Sequence, residues 1–140
     1  MTIVFSVCTL FLLFFFKHYL ADFQWQTSYH LQKFSMERKI QLKALASHSS
    51  VHAFLCYMAL MMHYLVFGVL PLTVDFALVI LSLSFLDFAL HFIIDFVKVE
   101  ATRGVGVDQR KFWLDFGLDQ LSHYVTYCPI IFIYFLLQVP

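Results

Sequence analysis

The sequence predicts an all-α membrane protein: one domain, residues 1–140, folded as a four-transmembrane-helix bundle with a polar His/Asp cluster near its cytoplasmic side. Three observations lead there. The composition is 61% hydrophobic, with 18 Phe and only 13% charged residues, where a soluble domain carries roughly 25%. A chain this short cannot hide so much apolar surface in a core of its own, so the bilayer must be its solvent. Long uncharged runs recur at the length a helix needs to cross, about 20 residues. The basic residues gather at one end of every run.

The first span covers about residues 3–23, with His18 and Asp22 inside its end. Its uncharged start has the length of a signal-peptide core. No Lys or Arg precedes it and no A-x-A cleavage pattern follows, so it reads as a retained span. The second covers about residues 44–68; no Asp, Glu, Lys or Arg occurs from Ala44 to Val74, and Gly68 and Pro71 punctuate its exit. The third covers about residues 75–97. The fourth covers about residues 119–137 and contains Pro129, a kink that neighbouring helices tolerate.

Orientation follows from charge. Lys33, Arg38, Lys39 and Lys43 fall between the first two spans; Lys98, Arg103, Arg110 and Lys111 fall between the last two; Lys17 sits near the same end. By the positive-inside rule both long loops are cytoplasmic and both termini face outward. Trp25, Tyr29 and Trp113 suit interface positions. The segment Gln24 to Lys43 mixes aromatic and basic residues and reads either as a surface helix or as a solvated connector. "TRGVGVDQR" reads as a flexible turn and lacks the Gly-Lys-Ser/Thr ending of a phosphate-binding loop. The net charge of zero gives no general reason to expect a nucleic-acid partner. Cys8, Cys56 and Cys128 lie far apart in apolar runs, which argues against a disulfide framework and for buried small hydrophobes.

The polar residues inside this apolar chain carry the chemistry. They pair at four-residue spacing: His18 with Asp22, His48 with His52, His91 with Asp95, and Asp119 with His123. Such residues share one helix face, one turn apart. All four pairs fall at the ends of spans that meet the cytoplasmic face. A charge at bilayer depth costs a few kcal/mol or more and usually has a partner. Five histidines and three aspartates suit zinc, with iron or manganese as alternatives, in one or two ions. Asp22, Asp95 and Asp119 are the candidate catalytic bases, and Gln26, Lys98 and Gln120 the candidates to orient ligands. A single His-x-x-x-Asp pair on a helix is usually only a local hydrogen bond; four pairs at one depth are harder to dismiss. Asp87 and Asp115 extend the stripes by one turn. His30 reads as an interfacial loop residue, His63 lies near the opposite face, and Lys17 and Lys98 are long enough to snorkel to the interface.

Read together, "HYLADFQWQT", "HSSVHA", "HFIIDFVK" and "LDQLSH" resemble the motifs of the small integral-membrane family catalogued as domain of unknown function 3307. The resemblance spans nearly the whole chain. It points to His18, Asp22, Gln26, His48, His52, His91, Asp95, Lys98, Asp119, Gln120 and His123, implies a prokaryotic or phage-encoded inner-membrane protein, and leaves the reaction open.

The residues favour a metal-dependent hydrolase acting on a lipid-like or phosphoester substrate at the cytoplasmic membrane face. No Ser-His-Asp or Cys-His pattern argues for covalent catalysis. A di-iron oxidoreductase of the desaturase and hydroxylase kind is the alternative, although its His-His doublets are missing. A metal or proton transporter would need polar residues in the outward half, where His63 and Asp75 stand nearly alone. Bis-His haem binding explains the histidines but not the aspartates.

Overall fold

The computed structural model describes residues 3–68 and 73–138. The fold is all-α. Helix α1 (Ile3–Tyr19) runs into a π-helical turn, Leu20–Gln24, closed by a hydrogen bond from Trp25 N to Leu20 O at 2.8 Å. A short 3₁₀ turn, His30–Phe34, follows. Then come α2 (Arg38–Phe67), α3 (Val74–Ala101) and α4 (Arg110–Leu136). Pro71, expected to punctuate the exit of the second span, lies outside the described residues.

The helices extend beyond the apolar runs that announce them. α2 begins at Arg38 and α4 at Arg110, both N-terminal to the expected spans, because their polar first turns are helical too. The segment from Gln24 to Lys43 is neither one surface helix nor a plain connector. Its 3₁₀ turn packs against α2 with His30 and Lys33 buried, while Trp25, Tyr29, Leu31, Phe34 and Met36 are exposed. Between α3 and α4, Gly104 has φ 74, a left-handed conformation that suits glycine in the turn beyond the helix end. At the start of α3 the Thr73 side chain accepts the Phe76 N–H at 3.2 Å, a satisfied N-cap.

By length and composition three segments are able to cross a membrane: Ile3–Gln24, Arg38–Phe67 and Val74–Ala101. The first half of α4 carries Lys111, Asp115, Asp119, Gln120 and His123, which keeps that helix out of the set. The surface agrees with lipid as the solvent. Leu12, Phe16, Leu65, Phe85 and Phe132 are each more than half exposed, an apolar exterior that a soluble monomer does not show over such an extent.

The interior divides in two. One half is an apolar core built on Leu10, Phe14, Cys56, Leu60, Ile80, Ile130 and Tyr134. The other half, toward the π turn and the 3₁₀ turn, is polar. Of the cysteines only Cys56 is buried; Cys8 and Cys128 lie on the outside, where an apolar thiol is equally at home against lipid.

Candidate metal centre

Four helices and the π turn bring His18, Asp22, His48, His52, His91, Asp95, Asp119 and His123 into one cluster, and all but Asp22 are buried. The π turn ends α1 with Asp22 directed at α2. Its Oδ1 lies 3.1 Å from His48 Nε2 and 2.9 Å from His52 Nε2, and its Oδ2 lies 3.1 Å from His18 Nε2. Single π turns recur at functional sites. The imidazoles of His52 and His91 stack at 3.5 Å between centroids, and those of His91 and His123 at 4.1 Å, so rings from α2, α3 and α4 form one column.

Two groups within the cluster have ligand atoms close enough to share an ion. One is Asp22, His48, His52 and His91; the other is His91, Asp95 and His123. A tetrahedral zinc with bonds of about 2.0–2.1 Å holds its ligand atoms about 3.4 Å apart. His123 Nε2 stands 3.4 Å from Asp119 Oδ1 and 3.7 Å from Asp95 Oδ1, and His91 Nε2 stands 3.8 Å from Asp95 Oδ2. The two separations to Asp95 suit atoms around a common ion. All three are too long or too poorly aligned for hydrogen bonds: His91 Nε2, His123 Nε2 and Asp119 Oδ1 are buried without a hydrogen-bond partner. Such orphans are rare, because an unpaired buried polar atom costs about 1–3 kcal/mol. The residues present therefore fit a divalent metal.

His18 stands apart from both groups. Its Nδ1 meets Tyr127 Oη at 2.7 Å, and its Nε2 is shared by Asp22 and by Gln120 Oε1 at 3.1 Å. It borders the centre and orients Asp22. Asp119, also outside both groups, faces His123 with its unpartnered oxygen.

Lysines complete the arrangement, and sequence reasoning gave them too small a part. Lys33 donates to Asp95 Oδ2 at 2.7 Å, and Lys98 to Asp119 Oδ2 at 2.8 Å, where Gln120 Nε2 also donates at 3.2 Å. Each carboxylate is thus held through Oδ2 while its Oδ1 faces His123; Asp95 Oδ2 also lies 3.6 Å from His48 Nε2. Lys17 does not snorkel: it is buried and donates to Asp87 Oδ2 at 2.5 Å, with its ammonium 4.7 Å from the Tyr127 ring centroid. Only Lys98, the least buried of the three, keeps a partly exposed side chain. His30 sits buried in the 3₁₀ turn rather than in an open loop. It packs 5.4 Å from His48, centroid to centroid, and meets Ser47 Oγ at 3.3 Å. Burial, with His48 beside it, holds its pKa below the ordinary imidazole value. Asp115 pairs with Lys111 outside the cluster.

A cavity of about 170 Å³ opens beside Asp22, lined by Gln26, Lys33, Lys98 and Gln120 and walled by Phe23, Phe34 and Phe116. Gln26 meets the site here. His63 lies at the far end of the bundle, where Nδ1 meets Tyr134 Oη and Nε2 meets Ser6 Oγ, both at 3.0 Å.

The fold and site define a class: a small all-α protein with membrane-length apolar helices around a buried His/Asp cluster. The chain belongs to the family described as "Protein of unknown function (DUF3307)", whose model matches residues 10–139. Comparison with curated proteins and with solved structures gives no match.

Proposed function

We propose that this is a membrane-embedded metal protein acting as a metal-dependent hydrolase on a lipid-like or phosphoester substrate. The observation that carries the metal is the pair of orphaned nitrogens, His91 Nε2 and His123 Nε2, which stand 3.8 and 3.7 Å from Asp95 oxygens, at ion-sharing rather than hydrogen-bonding distances. Asp22, His48, His52 and His91 would hold one ion; His91, Asp95 and His123 offer a second position. A divalent ion supplies Lewis acidity and makes water a nucleophile near neutral pH.

The protein's own residues supply the rest. Asp22 is the carboxylate that borders the cavity, so the substrate meets the Asp22 group first. Asp119, fixed through Oδ2 by Lys98, has Oδ1 left to accept a proton and is our candidate base. Asp95 is braced by Lys33 and keeps Oδ1 toward His123. Phe23, Phe34 and Phe116 limit water at the cavity wall.

We take α4 as the fourth span. Its outer face carries Leu114, Leu118, Leu121, Val125, Phe132 and Leu136, all exposed, which supports lipid on that side. Arg38, Lys39, Lys43, Arg110 and Lys111 are exposed at the cluster's end, which supports a cytoplasmic site. Single cysteines at Met36 and Val107, with Cys8 and Cys128 changed to Ser, should react with an impermeant thiol reagent only from the cytoplasmic side. Reaction from outside alone would move the site to the other face.

Elemental analysis of gently purified protein tests the centre. Zinc at one or two equivalents supports hydrolysis. Iron at that level would replace hydrolysis by the oxidoreductase reading. Protein free of any transition metal, after growth with both metals supplied, would sink the metal centre.

A further inference from the structure

A second opening reaches the site from the side. Between α3 and α4 runs a groove of about 280 Å³, walled by Ile93, Ile94, Val97 and Leu118. Its polar lining is Lys98 with Asp115, Asp119 and Ser122. Lys98 also lines the cavity beside Asp22, so groove and cavity share this lysine. The groove is apolar, lies on the face that carries exposed Ile93, Val97 and Leu118, and leads inward to polar groups.

The cavity, not the groove, suits an anion. The cavity presents two lysines and two glutamines against one carboxylate, Asp22, which is already engaged by His18, His48 and His52. An ammonium has three N–H donors. Asp95 takes one from Lys33 and Asp119 takes one from Lys98, which leaves donors on each lysine for an acceptor-only oxyanion. Gln26 adds an amide with no partner among the described residues.

We propose that groove and cavity form one binding site for an amphiphile, its hydrocarbon chain lying between α3 and α4 and its phosphate or carboxylate head held by Lys98, Lys33 and Gln26. The ligand enters sideways from the bilayer and meets Asp22 head first. This deepens the hydrolase reading by naming the substrate class and its route.

The test reads binding, so the two ideas fail separately. Full-length protein in a neutral detergent is titrated calorimetrically with dodecyl phosphate, inorganic phosphate and dodecyltrimethylammonium, with metal content measured on the same samples. Dodecyl phosphate should bind at least about tenfold more tightly than either of the others, since charge-assisted hydrogen bonds and chain burial both contribute. Ser122→Trp, at an exposed position lining the groove, should weaken it about tenfold or more by filling the groove. Gln26→Leu should weaken it less. Ala53→Trp, on the separate groove between α2 and α3, should leave it unchanged. Equal binding of inorganic phosphate would mean a free-phosphate site and overturn the proposal, as would equal binding of the cationic amphiphile or indifference to Ser122→Trp. Tight, Ser122→Trp-sensitive binding by protein that holds no metal would keep the amphiphile site and sink the metal reading alone.

Discussion

His63 and His91 are both buried histidines in long apolar helices, at opposite ends of the bundle, and their surroundings differ in kind. His63 has a partner on each ring nitrogen, Tyr134 on one side and Ser6 on the other. It is a satisfied core residue that ties α1 and α4 to α2. His91 stacks between His52 and His123, and its Nε2 has no hydrogen-bond partner. The same side chain, equally hidden from solvent, is fully paired at one end and has an unpaired Nε2 at the other. What separates them is not burial but satisfaction: interiors tolerate polar groups that are paired and retain unpaired ones only for a reason.

The comparison extends to charge, and the largest expected effect lies there. Lys17 and Asp87 are buried within the bundle and bind each other alone as ion partners among the described residues. Asp87→Leu strands a buried ammonium and should cost about 3–5 kcal/mol, read as loss of folded protein in a detergent-denaturation series. Lys17→Leu combined with Asp87→Leu should recover most of that, because an apolar pair of similar volume is often neutral. A double variant as unstable as the single one would assign the pair a task beyond mutual neutralisation.

His91→Ala sharpens the comparison directly. Bound metal per protein should fall at least about tenfold, since even partners outside the ligand set cost about 10–100-fold, while helicity by circular dichroism stays intact. Metal content equal to wild type with helicity preserved would reduce His91 to packing. The smallest effect belongs to His63→Ala: about 1 kcal/mol or less of stability, as membrane hydrogen bonds usually contribute, and no change in metal content. A drop in metal there would mean that the two ends are coupled through the core.

Much of this was legible in the sequence. The apolar runs located α1, α2 and α3, and His91 with Asp95 shows why spacing works: residues four apart on a helix share a face, and the two do face each other at 3.8 Å. The helix ends were less legible, because Arg38 to Lys43 and Arg110 to Leu118 are polar enough to read as loop yet continue the helices. Lys33 carried no signal at all. It lies in a connector without periodicity, and only the folding back of the 3₁₀ turn brings it to Asp95. Lys17 was misread for a different reason. A lysine at a span's end ordinarily reaches for water, and nothing local reveals that Asp87, seventy residues later in the chain, holds it inside. His30 was hidden in the same way as Lys33.

The Lys17–Asp87 pair also bears on how the protein is made. Helix α1 leaves the ribosome long before α3 does, and it then carries an ammonium with no counter-ion. Until α3 arrives, the cheapest place for that lysine is the headgroup layer, which holds that end of α1 near the membrane surface. Arrival of Asp87 removes the reason to stay there, and α1 can move deeper as the pair closes. The π turn carrying Asp22 begins three residues after Lys17, so the group of Asp22, His48, His52 and His91 would come together only when α3 docks, and α4 would bring His123 and Asp119 last.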